Sequence, residues 1–133
     1  VIVAGSRNYY DAAAFDRELR RWLEQLVQEG QRVIFISGAA KTGADRLIIN
    51  WCRRNGYVWV EQPADWEKYK RPGKKNPAGH IRNREMGVLA LTAPERHLIA
   101  FWDGVSPGTK GMLDIAAELD IPAHVTVVET EDL

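Results

Sequence analysis

Leu98-Ile99-Ala100-Phe101-Trp102-Asp103-Gly104-Val105-Ser106-Pro107-Gly108-Thr109-Lys110-Gly111-Met112 changes character twice along its length. An unbroken apolar run from Leu98 to Trp102 stops at an acid, small residues follow, and a helical pattern begins at Met112. This reads as a strand, a tight loop and a helix start. Such a junction can hold an anion, because the first turn of a helix carries unpaired backbone N–H groups and the positive end of the helix dipole. Gly104, Gly108 and Gly111 let a ligand approach the backbone, and Ser106 and Thr109 add hydroxyl donors. The loop lacks the Lys-Ser/Thr ending of a Walker loop, so it is a phosphate cradle of another kind or a purely steric turn.

The same change recurs along the chain. Val1 to Ala4 is an apolar run closed by Gly5-Ser6-Arg7, and Val33-Ile34-Phe35-Ile36 runs into Ser37-Gly38-Ala39-Ala40-Lys41-Thr42-Gly43-Ala44-Asp45. Apolar runs without alternation are expected of parallel strands covered on both faces. Tyr57 to Val60 is the third strand, left through Pro63-Ala64-Asp65-Trp66, and Ala123 to Val128 is the last. Between them lie helical patterns. Phe15, Leu19, Trp22, Leu23 and Leu26 share one face of the first, while Leu47, Ile48 and Trp51 mark the second, which Asn55-Gly56 ends. Met112, Ile115, Ala116 and Leu119 mark the last. Thr42 with Asp45 three positions on also fits a capping box.

The third helix is read over Ile81 to Ala90, which puts Arg82, Asn83 and Arg84 in its first turn. Cations there oppose the dipole by a few tenths of a kcal/mol unless an anion compensates. That anion would be a ligand, or Asp65 or Asp103. The stretch before it, Glu67 to His80, carries Lys68, Lys70, Arg71, Lys74 and Lys75 among Pro and Gly. Loops of that length are uncommon unless functional or mobile.

Composition narrows the field. The 133 residues suit a single domain spanning 1–133 with a real core. Lys plus Arg and Asp plus Glu both number 18, so no global field attracts nucleic acid or an anionic membrane, and any anion site is local. One cysteine, Cys52, excludes an internal disulfide. No apolar run approaches the roughly 20 residues that span a bilayer, and no signal peptide is visible, so a cytoplasmic location is expected. Opening on Val1-Ile2-Val3, already within a strand pattern, the chain is expected to lack a residue or more before it. Glu129 to Leu133 reads as an acidic tail. Exposed apolar helix surface leaves a homo-oligomer open.

Five alternations of strand and helix predict a single Rossmann-like α/β domain: a doubly wound, five-stranded parallel sheet with helices on both faces. Ligands in such sheets sit beyond the carboxyl ends of the strands at the switch point. Every polar cluster above falls at such an end.

As a set, Gly5-Ser6-Arg7, Ser37-Gly38-Ala39 with Gly43-Ala44-Asp45, Pro63-Ala64-Asp65-Trp66, Gly79 with Arg82-Asn83 and Met86, and Phe101-Trp102-Asp103-Gly104 with Ser106, Gly108-Thr109 and Met112 resemble the YspA-like group of the SLOG superfamily. The resemblance implies strand order 3-2-1-4-5, with the first and fourth loops side by side. It also implies a pocket for a nucleotide-derived ligand such as ADP-ribose, a nicotinamide dinucleotide fragment or a signalling nucleotide. The second motif departs from the group's Gly-Gly-Ala-Arg-Gly-Ala-Asp: it is one residue longer, with Lys41 near the place of the arginine. Lysine is a point charge without the bidentate fork of arginine. The chain is also similar, more distantly, to the phosphoribohydrolases that release cytokinins. Met112 stands where their catalytic glutamate would, and a thioether cannot move a proton, so that activity is not expected.

Three functions compete. In the first, Gly5, Ser6 and Arg7 with Gly104 to Thr109, including Ser106 and Gly108, cradle phosphate, and Lys41 and Arg82 supply countercharge. Asp45 or Asp103 then accepts from ribose hydroxyls, and Trp66 stacks on a base; Ser37, Gly38, Gly43 and Asn83 complete this pocket. In the second, Asp65 and Asp103, with Arg82, cleave an N-glycosidic or phosphoanhydride bond, and with Asp45 they hold a magnesium ion. In the third, the cations from Lys68 to Arg84, with Trp66 and Tyr69 interleaved, track a single-stranded nucleic acid; zero net charge speaks against it.

Overall fold

The computed structural model describes residues 1–130. Nine elements alternate: β1 (Ile2–Gly5), α1 (Ala12–Leu26), β2 (Ile34–Ser37), α2 (Ala44–Asn55), β3 (Val58–Glu61), α3 (Ala78–Ala90), β4 (Leu98–Trp102), α4 (Pro107–Glu118) and β5 (Ala123–Val127). The strands form one parallel sheet in the order β3-β2-β1-β4-β5, the expected Rossmann-like arrangement. β1 pairs with β4 through Gly5 and Phe101, so the loops that follow these strands leave side by side. The chain turns toward β3 on one side of β1 and crosses back to β4 on the other, which opens the switch point between them.

Alternate residues of each strand feed opposite layers, as the two-residue strand period requires. Val3, Phe35, Ile99 and Phe101 meet Phe15 and Leu19 of α1 and Ile48 and Trp51 of α2. Ile2, Ala4, Ile36 and Leu98 meet Met86 and Ala90 of α3 and Met112, Ile115 and Ala116 of α4. Each fully buried large side chain contributes about 1.5–3 kcal/mol. Cys52 is buried in the first layer, and burial pushes its thiol up to about 11, so it packs rather than reacts.

Both site-bearing helices start earlier than their apolar periodicity suggests. α4 opens at Pro107, not Met112, because proline at the first helical position needs no N–H acceptor and already has the helical φ. Gly108 and Gly111 are helical, and apolar periodicity cannot detect such a turn. α3 opens at Ala78, not Ile81: its N-cap is Pro77, and the side chain of Asn76, one residue before the cap, accepts from the Ala78 N–H, one of the donors that a helix start leaves unpaired. Arg82 and Arg84 therefore lie beyond the first turn and do not oppose the dipole there.

Two smaller corrections concern the second strand and its loop. Ile34 is half exposed, so β2 is covered on both faces only over its last three residues. Thr42 and Asp45 form no capping box: the N-cap of α2 is Gly43, with no side-chain cap. The basic stretch is shorter than expected, ending at Asn76-Pro77, and its turns are pinned by the Asp65 carboxylate accepting from Lys68 N and by Arg71 donating to the Lys75 carbonyl. Of the acidic tail, 131–133 lie outside the described residues.

Candidate functional site

A ring of hydrogen bonds locks the first loop to the fourth. Asp103 N–H donates to Ser6 Oγ (3.2 Å), Ser6 Oγ lies 3.1 Å from Ser106 Oγ, and Ser106 Oγ donates to Asp103 Oδ2 (2.8 Å). The other carboxylate oxygen of Asp103 accepts from Val105 N (2.9 Å) and Ser106 N (2.8 Å). Desolvation raises the Asp103 pKa, but the donors from Val105 and Ser106 outweigh it and hold the carboxyl below its ordinary value. Asp103 thus binds its own loop, and the donors of Val105 and Ser106 are spent on it. What this loop leaves to an anion is the first turn of α4, where the N–H groups of Gly108 and Thr109 have no intrahelical acceptor.

The second loop is held as firmly. The Ser37 hydroxyl donates to the Asp45 carbonyl (2.9 Å), and Asp45 Oδ2 accepts from Ala40 N (3.1 Å). Gly43 has φ +72°, and a Cβ there would lie 2.3 Å from the Ser6 carbonyl oxygen, so this glycine lets the first and second loops touch. Lys41 is exposed at the loop tip.

Arg82 ties this loop to α3. It is 9% exposed, donates from Nη1 to the Gly38 carbonyl (2.6 Å) and from Nε to Asn83 Oδ1 (3.0 Å). A Cβ on Gly38 would sit 2.6 Å from that Nη1 and 2.8 Å from Asp45 Oδ2, so glycine admits both groups. Asp45 is 8% exposed. Burial raises its pKa, opposed first by the Arg82 charge and then by the Ala40 N–H. Asn83 Nδ2 donates to the Gly108 carbonyl (3.2 Å), tying α3 to the start of α4. Arg7 lies over the Trp66 ring, 5.6 Å from its centroid, and Trp66 is 43% exposed.

Two cavities open here. The larger, about 570 Å³, is lined by Gly5, Ser6, Arg7, Asn8, Asp45, Arg82, Asn83 and Ser106 to Thr109, with Ala4, Met86 and Met112 among its apolar walls. The smaller, about 370 Å³, lies against Gly38 to Thr42, Pro63 and Ala64. Arg7, Trp66 and Arg82 line both.

Of the residues expected at the site, Ser37, Gly43, Asp65, Asp103 and Gly104 line neither cavity. Neither of the expected acid partners reaches the arginines: Arg84 pairs instead with Glu118 of α4, and the carboxylates of Asp65 and Asp103 are engaged in their own turns. The magnesium arrangement is not formed either. Asp45, Asp65 and Asp103 are not gathered, and among the described residues no group of three or more His, Cys, Asp or Glu is placed to hold a metal. Sequence reasoning missed Asn8, Lys75 and Asn76 at the larger cavity; only the polar character of their loops hinted at them.

The family model for the YspA, cpYpsA-related SLOG family matches residues 1–69. The chain belongs to this family, and its membership supports a nucleotide-related ligand-binding role. The match takes in the loops after β1 and β2 and the first half of the loop after β3, and ends before α3 and the fourth loop. No curated protein matches the chain. No helix among the described residues is long and apolar enough to cross a membrane.

Proposed function

We propose that the protein captures a phosphorylated, nucleotide-derived small molecule, of the kind represented by ADP-ribose, a nicotinamide dinucleotide fragment or a signalling nucleotide, and does not turn it over. The observation that carries this reading is the wall of the larger cavity, where Arg7, Arg82 and the first turn of α4 meet at the switch point between β1 and β4. Guanidinium forks and helix N–H groups are the usual partners of phosphate. Met86, Met112 and Ala4 give the same cavity an apolar wall suited to a ring. Capture is favoured over hydrolysis because, among the described residues, Asp45 is the one carboxylate lining the two cavities, and its Oδ2 already accepts from Ala40 N.

A thermal shift screen at low salt tests the proposal, with ADP-ribose, NAD, AMP, cyclic mono- and dinucleotides and a short single-stranded DNA, each with and without magnesium. A ligand at 100 times its Kd stabilises by about 2.7 kcal/mol. A clear shift with a nucleotide recovered unchanged is the expected result. A cleaved product would establish the hydrolase instead, and a response confined to DNA and steeply salt-dependent would establish a nucleic-acid module. No shift with any nucleotide would overturn the ligand class.

A further inference from the structure

β3 is an edge of the sheet, and its outer side meets no strand among the described residues. The Gln62 N–H donates to the Ser37 carbonyl of β2 (2.8 Å), so by the alternation along a strand Val58 and Val60 also turn their backbone groups toward β2. Those of Trp59 and Glu61 point outward. Exposed edges are ordinarily blunted by lysine, proline or a bulge. Val58-Trp59-Val60-Glu61 has neither residue, and it pairs with β2 without a break.

Both faces of this edge are open to a partner. Toward α3, Val58 is 51% and Val60 38% exposed, because α3 packs over β1 and β2 instead. On the other face the Arg53 guanidinium lies 5.6 Å from the centroid of the Trp59 ring, and Trp59 Nε1 donates to Glu61 Oε2 (3.2 Å). Arg53 and Glu61 are exposed and, among the described residues, neither forms a salt bridge.

We propose that β3 binds a second copy of the chain, strand against antiparallel strand, about a two-fold axis at Val60. Such an interface uses one patch twice, so the patch must complement itself. With the axis at Val60, Trp59 stands opposite the partner's Glu61, and the two residues exchange both N–H···O bonds through groups that already point outward. The symmetric pair does the same. The two Val60 side chains meet at the position without hydrogen bonds, where side chains stand closest. Arg53, lying over Trp59, comes beside the partner's Glu61, so opposite charges meet on each side of the axis. Neighbouring registers fit less well. An axis at Trp59 would need the Tyr57 N–H, which already donates to the Cys52 carbonyl (3.1 Å), and one at Glu61 would oppose two carboxylates. Because the paired edges run antiparallel, the carboxyl ends of the two sheets face opposite ways, and both candidate sites stay open.

Sedimentation velocity of the full chain over a dilution series tests this. The wild type is expected to be a dimer that dissociates on dilution. Val60→Lys sets like charges against each other at the axis, and Glu61→Pro removes an outward N–H without removing a bond to β2. Both variants should be monomers with an unchanged far-ultraviolet circular dichroism spectrum. Val125→Lys, on the opposite edge strand β5, should remain a dimer. Glu61→Arg should dissociate the dimer, and Arg53→Glu added to it should restore the dimer, which a merely structural role for either residue would not do. If Val60→Lys does not fold, Glu61→Pro and the charge exchange decide. A single-chain mass up to about 100 μM, above the micromolar end of the range for specific interfaces, overturns the proposal. So does a dimer that survives Glu61→Pro, one that Val125→Lys dissociates, or a Glu61→Arg variant that Arg53→Glu does not rescue.

Discussion

Ser6 and Ser106, a hundred residues apart in sequence, place their hydroxyl oxygens 3.1 Å apart and close a hydrogen-bonded ring through Asp103. The direction of the ring follows from proton counting. Ser106 has one hydroxyl proton and gives it to the Asp103 carboxylate; Ser6 accepts from the Asp103 N–H and so donates to Ser106. The floor of the site is therefore fixed before any ligand arrives, and cradle geometry is retained without order being imposed on binding.

Removing the carboxylate should loosen that floor. Asp103→Ala leaves Val105 N, Ser106 N and the Ser106 hydroxyl without their acceptor. Hydrogen bonds to charged groups contribute about 1.5–3 kcal/mol, less where water replaces them, so a loss of about 1–2 kcal/mol is expected from urea unfolding. Asp103→Asn keeps one acceptor oxygen and should cost less. Unchanged stability in Asp103→Ala would show that the ring is ornamental.

Arg82→Ala should weaken a phosphate-bearing ligand by about 1.5–3 kcal/mol, roughly 10- to 150-fold. It should also lower stability, since Asp45 stays buried without its nearest countercharge and the Gly38 carbonyl loses its donor. Arg82→Lys should rescue stability more than affinity, because an ammonium cannot bridge Gly38, Asn83 and a ligand at once. Titration of each variant with the ligand found by thermal shift, beside its urea unfolding curve, checks both halves.

Gly43→Ala tests the contact between the first and second loops. The substitution places a Cβ 2.3 Å from the Ser6 carbonyl oxygen at a left-handed φ of +72°. Left-handed backbone alone costs a non-glycine residue about 1–2 kcal/mol, and the clash adds to it. A loss above about 2 kcal/mol is expected; a wild-type midpoint would mean that the two loops part freely.

At the opposite end of the sheet, His97 Nδ1 and His124 Nε2 lie 3.1 Å apart, and the His124 ring tilts against Trp22. Burial lowers both pKa values below 6.5; Glu95 opposes it at His97, and the His97 charge reinforces it at His124. A lowered folded-state pKa gives stability that is present above the unfolded value, near 6.5, and lost as pH falls through the folded values. Unfolding free energy should therefore drop between pH 7.5 and 5, and His124→Gln should flatten that drop. An identical pH profile for the variant would remove the pair from the account.

The elements were legible where burial is strong and local. The run Leu98 to Trp102 is strand β4 to the residue, and Gly56, with its left-handed φ, ends α2 as read. Helix starts were less legible. Pro107 and Asn76 support them through backbone geometry and a side-chain acceptor for the first N–H, and neither leaves an apolar period to read.

From its sequence alone the protein's alternation of strand and helix was determined, because apolar periodicity is a local property of the chain. The gathering of polar loops at the carboxyl ends of the strands followed from the right-handed crossover rule. Only the tertiary structure decided how those loops divide the work. Asp103 turned from a ribose acceptor into a latch because Ser6 came within reach across the pairing of β1 with β4. Gly43 turned from a ligand contact into a close approach between protein segments, and Gly38, on the wall of the smaller cavity, also admits Arg82 and Asp45. Arg82 became the hinge of two cavities because α3 carries it to the Gly38 carbonyl, 44 residues away. A hydrogen bond between distant segments depends on angstrom-scale placement of whole elements, and no local pattern in the chain encodes that distance.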